Sequence, residues 1–115
     1  MNISVKLQQK DLLIVNGIIS GEIDAFTAPV LREKLSEIDL KENLQVIIDL
    51  SDVSYMDSTG LGVFVGFYKS VNASNGHMEL IGLSSRLKRL FDITGLGEIM
   101  DIQASSGEVK IDETV

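Results

Sequence analysis

Two neighbouring runs set the architecture of this chain: Leu44-Gln45-Val46-Ile47-Ile48-Asp49-Leu50 and Asp57-Ser58-Thr59-Gly60-Leu61-Gly62. The first is a short, apolar, β-branched run that ends in turn-forming residues, which is typical of a buried strand. From the second run onward, apolar residues recur at helical spacing: Leu61, Phe64, Val65, Tyr68 and Val71. The two runs therefore predict a strand that leads, through a loop over residues 51–57, into a helix with Ser58 at or beside its N-terminus.

The same alternation of strands and helices extends over most of the chain. Strands are predicted over residues 3–7, 12–19, 44–50, 77–81 and 98–102, the first two as a hairpin joined across residues 8–11. Because strands that alternate with helices pair in parallel through right-handed crossovers, we expect one α/β domain over residues 1–115. Its sheet is mixed and mostly parallel, with helices packed against it. The polar, acidic residues 103–115 are predicted to be a loosely packed tail.

The helices carry start and stop signals. Asp24 or Thr27 is predicted to cap the first helix, since Pro29 is tolerated only in a first turn. The buried face of that helix is predicted to be Phe26, Val30, Leu31, Leu35 and Ile38. Ser84 or Ser85 is predicted to cap the third helix, and Gly95 to end it.

Composition excludes several classes of protein. A chain of 115 residues has room for one core, and with no cysteine it has neither disulfides nor thiolate metal sites. No apolar run is long enough to span a bilayer, so a cytoplasmic protein that does not bind membranes is expected. The net charge of −7 argues against nucleic-acid binding, and the cluster of Arg86, Lys88 and Arg89 is typical of a solvated helix face. The initial Met1 and the acidic tail are expected of a complete chain, not of a domain cut from a membrane transporter.

Ser58 is the most informative candidate residue. A phosphate there would be stabilised by the free N–H groups and the dipole of the helix N-terminus. Alternatively, Asp57 or Ser58 is an ordinary helix cap. The glycines Gly60, Gly62 and Gly66 favour the functional interpretation, because each glycine inside a helix costs about 1 kcal/mol relative to alanine. Such a helix needs its backbone close to something, either the underlying sheet or a docked partner.

Enzymatic interpretations are weak. A serine nucleophile needs a base, and the only histidine, His77, is predicted at the opposite end of the sheet from Ser58. Asp24, Asp49 and Asp57 follow or end strands, where carboxylates can hold Mg²⁺, although Asp49 is equally well explained as a residue that ends its strand. We therefore expect neither catalysis nor a metal or other cofactor. If the strands before Asp24 and Asp57 are parallel neighbours, Asp24, Asp57 and Ser58 share one edge of the sheet.

Four short motifs carry a family resemblance: Gly21-Glu22-Ile23-Asp24-Ala25, Val46-Ile47-Ile48-Asp49-Leu50, Met56-Asp57-Ser58-Thr59-Gly60-Leu61-Gly62 and Arg89-Leu90-Phe91-Asp92-Ile93-Thr94-Gly95-Leu96. In order and spacing they resemble the landmarks of the STAS domain (sulphate transporter and anti-sigma antagonist). The resemblance covers nearly the whole chain, from residue 3 to residue 102. Within the family, the chain is most similar to the anti-sigma factor antagonists of the general stress response in Gram-positive bacteria.

This resemblance implies a partner-switching regulator. The unphosphorylated antagonist binds an anti-sigma factor that is also a serine kinase, the sigma factor is released, and phosphorylation ends the binding until a metal-dependent serine phosphatase resets the switch. The implied phosphorylation site is Ser58, with Thr59 a weaker alternative, and the free protein is expected to be a monomer. The implied partner-binding residues are Asp24, Asp57, Ser58, Thr59, Gly60 and Gly62. The alternative is a STAS scaffold or complex subunit that is not regulated by phosphorylation.

Overall fold

The computed structural model describes residues 2–95 and 101–104. Along the chain its elements are β1 (Ile3–Asp11), β2 (Ile14–Ile23), α1 (Ala28–Ser36), β3 (Gln45–Met56), α2 (Ser58–Ala73), β4 (His77–Leu83), α3 (Ser85–Ile93) and β5 (Asp101–Ala104). The strands form one sheet in the order β1-β2-β3-β4-β5. The β1–β2 hairpin is antiparallel, and every later pair is parallel. The prediction of an α/β fold with a mixed, mostly parallel sheet is confirmed.

The core lies between one face of the sheet and the helices. Along β3 the side chains alternate, so that Val46, Ile48 and Leu50 are buried whereas Ile47 and Asp49 are partly exposed. The helices contribute to the same apolar cluster through Leu31, Leu35, Phe64, Phe67 and Phe91. The rings of Phe64 in α2 and Phe91 in α3 lie 6.4 Å apart between centroids, in a tilted arrangement. In the described part of the chain, no helix combines the length and the apolar character needed to cross a membrane.

The hairpin turn lies further along the chain than predicted. β1 continues to Asp11, which is in register with Ile14, so Leu12 and Leu13 form a two-residue turn and are not strand residues. Both leucine side chains are exposed. The prediction was wrong because these leucines are as apolar as the strand that follows them, and only the backbone pairing locates the turn.

β2 and β3 both extend past their predicted ends. They pair in parallel from Ser20–Asp52 to Ile23–Met56, so the expected loop over residues 51–57 is strand as far as Met56. Side chains such as Ser51 and Asp52 point to solvent while their strand still finds a neighbour for its backbone groups. Polar composition therefore did not end the strand, because strand pairing is a property of the backbone.

The last strand extends past its predicted end. β5 covers Asp101–Ala104, and Ala104 is in register with Leu83 at the end of β4. Gln103 and Ala104 therefore belong to a strand and not to the predicted tail, because β4 runs on to Leu83 and offers them a pairing partner. The rest of the predicted strand, 98–100, and of the predicted tail, 105–115, lies outside the described residues.

The face of α1 is correct in its centre and wrong at its start. Leu31, Leu35 and Ile38 are buried as predicted, but Phe26 is 85% exposed and Val30 is 45% exposed. The turn before α1 buries its polar residues, Asp24 and Thr27, and this leaves Phe26 on the outside. At the third helix, Ser84 is the cap and accepts from the N–H of Leu87.

Candidate functional site

Asp57 is the residue that caps α2. Its backbone is extended, and its carboxylate oxygen Oδ1 accepts hydrogen bonds from the N–H groups of Thr59 at 2.9 Å and Gly60 at 3.2 Å. Two of the four N–H groups that a helix leaves free at its start are therefore already bound to a carboxylate. The choice between Asp57 and Ser58 as the cap is thereby settled in favour of Asp57.

The Ser58 side chain is therefore not needed to cap α2. Ser58 is the first residue of α2 and is exposed, as is Thr59. Within residues 2–95 and 101–104, its hydroxyl has no hydrogen-bond partner. A modifying group could be attached to this oxygen without breaking any hydrogen bond of the fold, and it would lie beside the carboxylate of Asp57.

Asp24 organises the loop between β2 and α1. Its Oδ1 accepts from the N–H groups of Phe26 at 2.9 Å and Thr27 at 3.0 Å. The Thr27 hydroxyl donates to the carbonyl oxygen of Glu22 at 2.8 Å and accepts from the N–H of Asp24 at 2.9 Å. Asp24 is only 6% exposed, and its second oxygen, Oδ2, is buried with no hydrogen-bond partner among the described residues. Asp24 therefore stabilises the loop. Because its side chain is buried, it would influence a partner through the shape of the loop and not by direct contact.

The structure brings the loops of Asp24 and Asp57 together. The N–H of Asp57 donates to the carbonyl oxygen of Ile23 at 3.2 Å, and Ile23 is in register with Met56 at the ends of β2 and β3. The predicted shared edge follows directly, because β2 and β3 are parallel neighbours. We call this region the carboxyl edge and define it as residues 20–30 and 51–62.

The glycines of α2 serve two different purposes. A Cβ atom added at Gly60 would lie 2.4 Å from Cγ2 of Ile23 and 3.0 Å from Cγ of Met56, so the helix can approach the sheet only with glycine there. Gly60 is buried and cannot touch a partner directly. At Gly62 and Gly66, by contrast, an added Cβ would meet nothing within 4 Å. These two exposed glycines line an open cavity of about 310 Å³ between α1 and α2, with Arg32 and Phe67 among its other lining residues.

The residues of the weaker enzymatic interpretations lie apart. His77 begins β4, in register with Gln45 at the amino end of β3, whereas Ser58 follows the carboxyl end of β3. The carboxylate of Asp49 accepts hydrogen bonds from the N–H and the hydroxyl of Ser51 within the strand itself. In the described part of the chain, no three His, Asp or Glu residues come close enough to hold a metal ion.

Two of the four motifs lie in the carboxyl edge, one lies in the first half of β3, and the fourth begins in α3. Residues 5–109 match the family model of the STAS domain. This chain belongs to the STAS domain family. The resemblance predicted from its motifs is confirmed.

Two similar proteins share one name. A Bacillus subtilis protein named anti-sigma-B factor antagonist is 52% identical over 106 residues, which is 92% of this chain and 94% of the relative. A Listeria monocytogenes protein of the same name is 49% identical over 109 residues, covering 95% and 96% of the two chains. The crystal structure of an anti-sigma factor antagonist from Mycobacterium paratuberculosis superposes with a TM-score of 0.79 at 22% identity, covering 96% of this chain and 93% of the other.

One feature of this STAS domain was missed by the sequence prediction. Phe26 is at helical spacing from Val30, so periodicity assigned it to the core, yet its ring is exposed at the carboxyl edge. The only signal in the sequence was its position between Asp24 and Thr27, two residues that favour a turn.

Proposed function

We propose that this protein is an anti-sigma factor antagonist that is switched by phosphorylation of Ser58. In its unphosphorylated form it binds an anti-sigma factor that is also a serine kinase, and the bound anti-sigma factor lets go of its sigma factor. The names of the Bacillus and Listeria relatives support the antagonist role, since both match nearly the whole chain at about half identity. Transcription of stress-response genes is then the process that the protein promotes.

The exposed, unbonded hydroxyl of Ser58 is the observation that carries this proposal. A kinase substrate must present its hydroxyl to an active site without breaking hydrogen bonds of its own fold. Ser58 meets this condition because Asp57, and not Ser58, caps α2. The kinase transfers the γ-phosphoryl group of ATP to Oγ of Ser58, ADP leaves, and the hydroxyl proton is lost. Thr59 is exposed too and is the weaker alternative acceptor.

Phosphorylation would change binding by local electrostatics. A phosphate adds about 1.5 to 2 negative charges at neutral pH. Asp57 already presents its carboxylate to the N–H groups of Thr59 and Gly60, so the phosphate shares the helix N-terminus with a like charge. When a partner docks, both charges must be desolvated together. A loss of about 1.4 kcal/mol is enough for a tenfold change in affinity, so no refolding is required.

The expected partner-binding residues divide by exposure. Asp57, Ser58, Thr59 and Gly62 are at the surface and can touch the anti-sigma factor, whereas Asp24 and Gly60 are buried and act by holding the carboxyl edge in shape. In this proposal the free protein is a cytoplasmic monomer. A metal-dependent serine phosphatase removes the phosphate and restores binding.

The proposal is tested by phosphorylation in vitro. We would incubate the purified protein with ATP, Mg²⁺ and the anti-sigma kinase of the same organism, and then locate the phosphate by mass spectrometry. One phosphate on Ser58, with loss of kinase binding, is the expected result, and Thr59→Ala should behave like the wild type. If a kinase that is active on a control substrate leaves the wild type unmodified, the phosphorylation switch is wrong and a scaffold role takes its place.

A further inference from the structure

Phe26 is the most exposed of the large apolar side chains found at the surface of the described residues. It is 85% exposed, whereas the other three phenylalanines of the chain, Phe64, Phe67 and Phe91, are buried. Val30 lies four residues further along and is also exposed. The backbone between them is helical in its hydrogen bonding, because the N–H of Ala28 donates to the carbonyl of Asp24 and that of Leu31 to the carbonyl of Thr27. Phe26 and Val30 therefore lie on the same side of one turn.

The backbone of the turn that carries Phe26 is held in place by buried polar groups. Asp24 and Thr27 are the buried polar residues of the described part of the chain, and both bind the turn that carries Phe26. The carboxylate of Asp24 accepts from the N–H of Phe26 itself at 2.9 Å. Burying polar groups is costly unless they are hydrogen-bonded, and here Oδ1 of Asp24 and the Thr27 hydroxyl are bonded to backbone groups of the turn that exposes the Phe26 ring. Because the backbone of this turn is already ordered, less backbone entropy is lost when a partner binds Phe26, so this arrangement suits a contact residue.

Phe26 also lies at the edge that contains Ser58. It is three residues beyond Ile23, whose carbonyl binds the N–H of Asp57, and Ser58 is the next residue after Asp57. Phe26 and Ser58 are therefore both near the backbone contact that joins the ends of β2 and β3. We infer that a kinase bound over the Ser58 hydroxyl reaches the turn of Phe26.

We propose that Phe26, together with Val30, is an apolar anchor that inserts into a pocket of the anti-sigma kinase. This inference rests on the proposed function and extends it by assigning affinity and switching to different residues. Phe26 contributes affinity through burial of its uncharged ring, and the phosphorylation state of Ser58 decides whether the partner stays bound. Exposed aromatic side chains that become buried in a complex are typical of binding hot spots.

A second copy of this chain is a poor occupant for the same surface. In a symmetric dimer each patch would face its own copy. The carboxyl edge contains Glu22, Asp24, Asp52 and Asp57, and residues 20–30 and 51–62 include no lysine or arginine. Self-association through Phe26 would therefore bring like charges together, which favours a different protein as the partner.

The test compares Phe26→Ala with a matched surface variant, Leu12→Ala. Leu12 is 78% exposed in the β1–β2 turn, which precedes β2 and so lies at the other end of that strand from the carboxyl edge. We expect Phe26→Ala to weaken binding of the unphosphorylated protein to the kinase by about 30-fold, the size of a hot-spot truncation, with Leu12→Ala unchanged. Phe26→Leu should keep most of the affinity. In the kinase assay Phe26→Ala should raise KM and leave kcat unchanged, and both variants should melt at the wild-type temperature.

The outcomes separate this inference from the proposed function. If the wild type binds the kinase and is phosphorylated on Ser58, but Phe26→Ala binds equally well, the anchor is wrong and the switch stands. If the wild type is neither bound nor phosphorylated, the proposed function fails and the anchor fails with it. If sedimentation shows a wild-type dimer that Phe26→Ala converts to a monomer, the surface belongs to a second copy of the chain, and the proposed anchor is overturned.

Discussion

The N–H of Asp57 donates to the carbonyl oxygen of Ile23 at 3.2 Å, and this bond ties the cap of α2 to the end of β2. Asp57 lies next to Ser58, and Ile23 lies next to Asp24, so one backbone contact joins the two loops of the carboxyl edge. β2 and β3 are also paired as far as Ile23 and Met56, so strand pairing and the Asp57–Ile23 hydrogen bond both connect the two segments of the carboxyl edge. The backbone that precedes Ser58 is therefore tied to β2.

Charge at Ser58 should decide whether the anti-sigma kinase binds. Ser58→Ala should bind as tightly as the unphosphorylated wild type and stay bound when ATP is added, because it cannot accept a phosphate. Ser58→Asp should bind at least about tenfold more weakly, since it adds a negative charge beside Asp57. Isothermal titration calorimetry gives both dissociation constants. Ser70→Asp is the matched control, because it places the same charge on an exposed position further along α2 and should bind normally. Equal affinity of the Ala and Asp variants at position 58 would falsify the electrostatic account.

The like charge of Asp57 should contribute to the effect of the phosphate. Asn caps a helix about as well as Asp, so Asp57→Asn should leave stability nearly unchanged, whereas Asp57→Ala should lose about 1 kcal/mol. Once phosphorylated on Ser58, Asp57→Asn should bind the kinase more tightly than the phosphorylated wild type, because one of the two neighbouring negative charges is gone. Binding measured on both phosphoproteins tests this. An unchanged affinity would mean that the phosphate acts by steric exclusion alone.

Two glycines of α2 should respond to alanine with opposite signs. Gly60→Ala should destabilise the protein by about 2 kcal/mol, because its Cβ would overlap Ile23 and force the helix away from the sheet. Gly62→Ala, two residues later in the same helix, should stabilise it by up to about 1 kcal/mol through helix propensity, since its Cβ meets open space. Urea denaturation measures both. A stable Gly60→Ala variant would contradict the close approach between α2 and β2.

The Thr27 hydroxyl should matter more to stability than its size suggests. Thr27→Val keeps the shape but removes the donor to the Glu22 carbonyl and the acceptor for the Asp24 N–H, in a residue that is 4% exposed. We expect a loss of about 2 kcal/mol, the cost of leaving buried polar groups unpaired. Thr94→Val is the control, because Thr94 is exposed and water can replace its bond to the carbonyl of Phe91. Thr27→Val should melt at a clearly lower temperature than Thr94→Val. Similar melting temperatures would show that the Thr27 hydroxyl does not stabilise this turn.

Local pattern predicted the parts of this protein that depend on local chemistry. The helices that begin at Ser58 and Ser85 were located by their capping residues, and the end of α3 by Gly95, which adopts a positive φ of 79°. The shared edge of Asp24 and Asp57 followed from the alternation of strands and helices, because parallel strands end on the same side. Each of these predictions needed only neighbouring residues or a general rule of connection.

Tertiary contacts decided the rest. The lengths of β2 and β3 depend on which strand lies alongside, and polar residues such as Asp52 join a strand when a neighbour satisfies their backbone groups. Whether Phe26 faces the core or solvent depends on which side chains of its turn are buried, and here Asp24 and Thr27 take the interior. Only the packed structure separates Gly60, which lies against Ile23, from Gly62, which faces open space. The local sequence thus determined the order of elements and the position of Ser58. The exposure of each side chain at the carboxyl edge depends instead on contacts between residues far apart in the chain.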